Sequence, residues 1–279
     1  MHFFLKILAL AVIQGATELL PVSSSAHVIV AEKLMGLDPA KPEMTLLLVM
    51  LHTGTMLAVI VFFWNSWKKD FPVKLIIAAT AATALVGLFL KFLIEKVLLK
   101  GTAHAEVEQL FGNLPLISAA LAGAGVLILW AGYKENQASN KKTTLGLKNA
   151  CLIGLIQGIC LPFRGFSRSG ATISAGLILG IEKKRAEDFS FALAVVLTPP
   201  VILREALRFL KAQHTSVHHA TSMAGLFLPS VVGMVLSFIA GLLALKWLSN
   251  WLEAGRWYLF GIYCLCASIV IFFLYCQGL

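Results

Sequence analysis

Charge is scarce in this chain. Only 13% of its 279 residues are charged while 58% are hydrophobic, and the mean hydropathy is +0.84. No soluble domain of this length needs that much apolar surface, so the soluble globular classes are excluded. Acidic residues are scarcest, 14 against 23 Lys and Arg, which leaves a formal net charge of +9. That excess does not indicate nucleic acid. The basic residues fall in short loops between apolar runs, where retention at the cytoplasmic face accounts for them. A disulfide or zinc framework is also lacking. The five cysteines, Cys151, Cys160, Cys264, Cys266 and Cys276, are odd in number and lie in apolar segments. They read as small packing residues. The N-terminal apolar run has no small-residue cleavage site followed by a soluble domain, so it is not expected to be a removable signal.

What remains is a series of apolar runs of about 20 residues, the length of a membrane-spanning helix. Six read as full spans: 45–64, 75–94, 115–133, 189–210, 224–245 and 257–275. Four intervening segments are basic: Lys68, Lys69 and Lys74; Lys134, Lys141, Lys142 and Lys148; Lys183, Lys184 and Arg185; Lys246 and Arg256. The positive-inside rule places these four in the cytoplasm. The opposite loops are poorer in charge, with Lys33 and Lys41, Lys96 and Lys100, and Lys211 beside His214, His218 and His219. That histidine group reads as a solvated loop rather than a metal site.

This assignment puts 134–149 and 182–188 on the same side although an apolar stretch lies between them. Residues 150–181 should therefore enter and leave from one side as a re-entrant helix pair, and residues 3–36 should do likewise from the other. The expected fold is an all-α polytopic membrane protein in a single domain, 1–279. It divides into two inverted-topology repeats, 1–140 and 141–279, each a re-entrant pair plus three transmembrane helices. Such repeats place their sites on the ends of broken helices near the midplane.

Two polar motifs mark the breaks. The first runs from Gln14 to His27, Gln-Gly-Ala-Thr-Glu-Leu-Leu-Pro-Val-Ser-Ser-Ser-Ala-His; the second has Gln157-Gly158, Pro162 and then Arg164-Gly-Phe-Ser-Arg-Ser-Gly-Ala-Thr172. Ile-Gln-Gly recurs at an offset of 143, which pairs Ser24 with Ser167. Pro21 ends the helix bearing Gln14 and Glu18, and Ser23, Ser24 and Ser25 suit the N-cap of the next half-helix. Pro162 and Gly165 interrupt the second copy, where Ser167 can cap a helix starting near Arg168. Two helix N-termini then meet, each with free N–H groups and a positive dipole end, which together make an anion site. Ionisable groups at membrane depth cost about 2.5–3.5 kcal/mol each on insertion scales, so Glu18, His27 and Arg168 call for a function. Each also has a plainer reading: Glu18 paired with Arg168 for assembly, His27 bonded to a neighbouring helix, the serines as caps. The combination of carboxylate, imidazole, hydroxyls and guanidinium suits phosphoryl chemistry better than acyl transfer, which needs no cation.

Gln-Gly-x-Thr-Glu-x-x-Pro-Val-Ser-Ser-Ser-x-His at 14–27, Leu-His-x-Gly-Thr at 51–55 and Gly-Phe-Ser-Arg-Ser-Gly-Ala-Thr at 165–172 resemble the undecaprenyl-diphosphate phosphatase family, also called bacitracin-resistance proteins. The resemblance extends over nearly the whole chain in length and hydropathy. It implies a multi-pass hydrolase of the bacterial cytoplasmic (inner) membrane. Such an enzyme converts undecaprenyl diphosphate to undecaprenyl phosphate and inorganic phosphate, recycling the lipid carrier for peptidoglycan and other envelope polymers. It implies a polyprenyl diphosphate lipid and membrane lipids as partners and a divalent cation, Mg2+ or Ca2+, as cofactor. Carried over, the catalytic set is Glu18, Ser24, His27 and Arg168. Ser167, Ser169, Thr172, Ser23 and Ser25 join Arg168 on phosphate, and Glu18 with Gln14 takes the metal. Three positions depart from the family pattern: Gln14 for a frequent glutamate, Arg164 for the proline usually before the glycine, and Ala26 for glycine. Type-2 phosphatidic acid phosphatases need a His after Ser-Arg, and here Ser-Gly-Ala-Thr-Ile-Ser-Ala-Gly follows.

The residues leave the nucleophile open between Ser24, His27 and water. They also leave the oligomeric state open, a homodimer included. The competing function is a transporter or flippase of polyprenyl phosphate lipids, which would need Arg168 but has less use for Glu18, Ser24 and His27 together.

Overall fold

Ten α-helices form among the residues described by the computed structural model, which are 2–38, 42–98, 100, 107–137, 143–215 and 223–279. In chain order they are α1 (His2–Leu19), α2 (Ser24–Leu34), α3 (Pro42–Lys69), α4 (Val73–Leu93), α5 (Leu114–Gln137), α6 (Leu147–Cys160), α7 (Arg168–Ile178), α8 (Lys183–Thr215), α9 (Met223–Glu253) and α10 (Tyr258–Cys276). Helix is the expected answer for such runs, because it satisfies every backbone N–H and C=O within the segment. Among the described residues the only strand-like pairing is an isolated bridge between Thr143 and Ile181. His218 and His219, with Lys41, Lys141 and Lys142, lie outside the described residues.

Six helices are long and apolar enough to cross a membrane: Met44–Lys69, Val73–Val97, Leu114–Glu135, Lys183–Leu207, Phe227–Glu253 and Tyr258–Cys276. They coincide with the six runs read from the sequence and differ mainly at the ends. Several helices continue past the apolar stretch into Lys, Trp and Glu, which sit well in a last helical turn. The outer faces of α4 and α10 carry exposed Leu85, Leu88, Phe89, Ile269 and Phe273, as a lipid-facing surface requires.

A short pair of helices precedes three long ones, twice over. The pairs exchange partners: α1 packs against α9 and α6 against α4, while α5 lies along α10 and α3 along both α8 and α9. The repeated Ile-Gln-Gly has a packing cause here. A Cβ on Gly15 would lie 2.6 Å from the Ser237 carbonyl, and one on Gly158 would lie 2.7 Å from the Val86 Cβ. Each glycine lets its short helix seat closely on a long helix of the other half. Around the breaks, Leu19, Val22, Ile117, Ile128, Phe191, Leu245 and Trp257 form a buried core that fixes where α2 and α7 begin.

Candidate active site

The two breaks are built alike. Ser23 and Ser167 both have positive φ, 67° and 48°, and are the two such non-glycine residues among those described. Each caps the next helix, Ser23 Oγ accepting from the Ala26 N–H at 3.5 Å and Ser167 Oγ from the Gly170 N–H at 3.3 Å. Both helices that follow have 11 residues and end identically. Leu37 N bonds to Glu32 O and Gly36 N to Lys33 O; Ile181 N bonds to Gly176 O and Gly180 N to Leu177 O. These are Schellman closures with glycine in the left-handed position. A serine at positive φ costs on the order of 1–3 kcal/mol, a strain that persists only where the surroundings impose it.

This correspondence corrects the sequence register. Ser23 matches Ser167, so Ser24 matches Arg168 and not Ser167, an offset of 144. The reason lies in the connections. The first break spans residues 20–23 and the second 161–167. Pro162 occupies the position equivalent to Leu19, where its ring cannot continue a helix, so α6 stops at Cys160 and one extra residue enters before the cap.

The two N-termini meet face to face. The Gly165 N–H donates to Ser25 Oγ at 3.4 Å, and the Ser169 hydroxyl donates to Leu20 O at 3.2 Å. Between them lies a cavity of about 190 Å3, lined by Glu18, the three serines 23–25, Arg164 and the run Gly165–Ser169. Ser24 Oγ donates to Glu18 Oε2 at 2.5 Å, and the Gln14 amide donates to the same oxygen at 3.1 Å. The other carboxylate oxygen faces Arg168 Nη2 at 3.6 Å. Arg168 Nη1 is buried without a hydrogen-bond partner in the described structure, an unusual state for a guanidinium and one that an anion oxygen would relieve. The cap uses a lone pair of Ser167, so its O–H group remains able to donate to a ligand; the Ser23 hydroxyl shares a hydrogen bond with Ser25 Oγ at 3.2 Å and donates to a ligand when Ser25 is the donor of that bond, while the Ser169 proton is already committed to Leu20 O.

Two sequence-derived residues stand apart. His27 does not line the cavity. Its Nδ1 lies 2.8 Å from Ser23 O and its Nε2 2.7 Å from the Tyr263 hydroxyl, with the two rings stacked. The carbonyl can only accept, so Nδ1 carries the proton and Nε2 accepts from Tyr263. Thr172 is buried behind Arg168, bonded to Arg168 O and to Ser190 Oγ at 2.6 Å. The sequence reading missed two participants. His52, in the Leu-His-x-Gly-Thr motif, has no site role in the sequence reading, yet its Nδ1 lies 3.2 Å from Gln14 Nε2 and 4.0 Å from Glu18 Oε2. A polar residue within an apolar span was the available signal. Tyr263 belongs to no motif and had none.

The donors suit a hard cation only in part. Among the described residues no three His, Cys, Asp or Glu side chains gather to hold a metal. The oxygens at hand are the Glu18 carboxylate, the Gln14 amide and serine hydroxyls. That set fits Mg2+ or Ca2+ arriving with phosphate oxygens, as Mg2+ commonly does, and not a resident ion in a closed cage.

A family model described as Bacitracin resistance protein BacA matches residues 7–270. The chain is 57% identical over 278 residues to Undecaprenyl-diphosphatase 2 of Acinetobacter baylyi, with 96% of each chain covered. It is 34% identical over 273 residues to an undecaprenyl-diphosphatase of Desulfosudis oleivorans, covering 91% of this chain and 92% of the relative. It is 33% identical over 283 residues to one of Idiomarina loihiensis, covering 98% and 99%.

Proposed function

Because the chain belongs to the bacitracin resistance protein BacA family, we propose that its reaction is carried by Glu18, Ser24 and Arg168 at the junction of α2 and α7. The protein is a multi-pass enzyme of the bacterial inner membrane that hydrolyses undecaprenyl diphosphate to undecaprenyl phosphate and inorganic phosphate. The observation that carries the site is the Ser24–Glu18 hydrogen bond of 2.5 Å beside the unpartnered Arg168 Nη1. A hydroxyl held by a carboxylate, next to a vacant guanidinium N–H, is a nucleophile and base facing a phosphate site.

Ser24 Oγ attacks the terminal phosphorus and Glu18 takes its proton. The bond from that phosphorus to the bridging oxygen breaks, and its electron pair stays on undecaprenyl phosphate. A phosphomonoester has a second pKa of about 6, so it leaves near neutrality without a general acid. His27 is then free to act as a positioning residue, its Nδ1–H holding the strained Ser23 carbonyl. Glu18 then gives that proton up to solvent, and the restored carboxylate deprotonates the water that releases inorganic phosphate from Ser24. Arg168, the Ser23 and Ser167 hydroxyls and the N–H groups of both helix starts bind the equatorial oxygens, where charge is spread in the transition state. Ser25 and Ser169 hold the two turns together, and Thr172 supports Arg168 from behind. Glu18 and Gln14 would hold a divalent cation, which when bound supplies charge neutralisation to the phosphate oxygens.

The inverted relation of residues 1–140 and 141–279 belongs to the same proposal. It is supported by matching caps and closures and by the exchange of α1 and α6 between halves. A lipid carrier would also use Arg168, but it has no need of a base bonded to a hydroxyl. Phosphate release from undecaprenyl diphosphate by the purified protein, beside Arg168→Ala and Glu18→Gln, tests the reading. Release by wild type and its loss in both variants is expected. A bound but intact lipid, across metals and pH, would turn the assignment to a flippase.

A further inference from the structure

His52 of α3 stands beside the Glu18 carboxylate and has no part in the reaction above. Its place there is built by close helix packing. A Cβ on Gly54 would lie 2.3 Å from the Met234 carbonyl of α9, and one on Gly15 would lie 2.6 Å from the Ser237 carbonyl of the same helix. Two glycines thus let α3 and α1 seat closely on one stretch of α9. Ser237 fixes the register, its hydroxyl donating to Leu51 O at 3.0 Å. His52 follows Leu51, and Gln14 precedes Gly15. The contacts that dock the two helices therefore also bring the imidazole to the amide. The Thr55 hydroxyl donates to His52 O at 3.0 Å and completes the local hold. The Leu-His-x-Gly-Thr motif reads as a mount for one side chain.

Donors and acceptors show what that side chain does. His52 Nδ1 lies 4.0 Å from Glu18 Oε2, too far for a hydrogen bond, and 3.2 Å from Gln14 Nε2. An amide nitrogen only donates, so Nδ1 accepts and the imidazole proton is on Nε2. The other Gln14 N–H goes to Glu18 Oε2 at 3.1 Å. Both amide N–H groups thus have acceptors. Turned over, the amide would set its oxygen against two lone pairs, those of Glu18 Oε2 and His52 Nδ1, and repulsion would replace both bonds. We propose that His52 is a positioning residue for the reaction: its Nδ1 locks the Gln14 amide with the nitrogen toward Glu18, and the amide holds Glu18 Oε2 where it accepts from the Ser24 hydroxyl. That hydroxyl lies 2.5 Å from the same oxygen, so a carboxylate displaced by a turned amide loses its aim at the attacking group. A side chain without an acceptor at position 52 removes the bias, and the amide then samples both orientations.

This rests on Ser24 as the group that Glu18 holds for attack, so its test carries Ser24→Ala alongside. The full-length protein in detergent is assayed with undecaprenyl diphosphate at one fixed Mg2+ concentration, and the thermal midpoint of each variant is read as well. His52→Leu should lower kcat about tenfold and leave KM within about twofold, because the imidazole acts on the base and not on the bound phosphates. H52N should recover most of the loss, since Asn Oδ1 stands as far along the side chain as His Nδ1 and accepts in its place. Gln14→Leu should lower kcat at least as far, and adding His52→Leu to it should cost no more than about twofold further. That coupling separates positioning through Gln14 from mere packing of α3, whose loss would repeat in full on either background. An unchanged kcat in His52→Leu overturns the proposal, as does a full second loss on the Gln14→Leu background or a failure of H52N to recover turnover. Should His52→Leu not fold, H52F gives the same readout. Full turnover in Ser24→Ala instead sinks the attack by Ser24 itself, and so separates the two failures.

Discussion

The break between α1 and α2 and the break between α6 and α7 share a backbone and divide the chemistry. Both have a serine cap at positive φ, an 11-residue helix and a glycine closure. The residue after the cap is a hydroxyl in one and a guanidinium in the other, Ser24 against Arg168. Upstream, Gln14 serves Glu18 and His52, whereas its counterpart Gln157 donates to Thr83 in a fully buried contact. The position equivalent to Glu18 is Leu161. Two matching breaks thus aim two helix starts at one point, and in the proposed reaction the residues that differ between them make one the attacking side and the other the binding side.

The largest effects should come from breaking that division. Arg168→Ala and Glu18→Gln should each lower turnover at least about 10²-fold, since each removes a charge from a water-poor site. Phosphate release measures both, and wild-type activity in either variant would remove that residue from the mechanism. Ser24→Ala should fall as far, because its hydroxyl is the group that Glu18 holds. In the wild-type protein, quenching during turnover and mapping by mass spectrometry should place a phosphoryl group on Ser24. Retained activity in Ser24→Ala, with no trapped species, would hand the attack to water at the same carboxylate.

The extent of this division that was legible in the sequence follows from what each residue's signal depends on. Hydropathy located the six long helices, since length and apolarity are local properties. The broken helices were legible through Pro21, Pro162 and the serine runs. The register between copies was not: an offset taken from Ile-Gln-Gly holds only until Pro162 shortens α6, and the extra residue appears once the caps are seen. The resemblance carries His27 into the catalytic set and its spacing puts it one turn from Ser24, while the direction of its side chain depends on a partner brought by α10. Tyr263 is 236 residues away, and nothing near His27 in sequence announces it. The approach of His52 to Gln14 and Glu18 likewise depends on how α3 packs against α1.

The two glutamines test whether the copies differ in kind. Gln157→Glu would bury a carboxylate at a site with no exposure, where Gln157 Oε1 already lacks a partner. Removing such a charge from water costs several kcal/mol. The thermal midpoint in detergent should drop, with activity per folded molecule unchanged. Gln14→Glu instead adds a second hard donor beside Glu18. Its midpoint should hold with Mg2+ present to neutralise the paired carboxylates, and half-maximal activity should need about tenfold less Mg2+. Equal destabilisation in both variants with Mg2+ present would mean that the first break is no more a ligand site than the second.

The smallest effect concerns the support beneath Ser23, which the second break does without an imidazole. Tyr263→Phe removes the hydroxyl that donates to His27 Nε2 and leaves the ring stack, with its 13° interplanar angle, in place. One neutral hydrogen bond is worth about 1 kcal/mol, so kcat should fall no more than about fivefold. His27→Ala also loses the bond to the Ser23 carbonyl and should cost about tenfold, still far short of Arg168→Ala. Because the imidazole only orients a turn in this arrangement, the pH profile of kcat/KM should keep its shape in both variants. A loss in His27→Ala as deep as that in Arg168→Ala, with one limb of the pH profile gone, would return the histidine to the chemistry and make Ser24 its substrate-side partner.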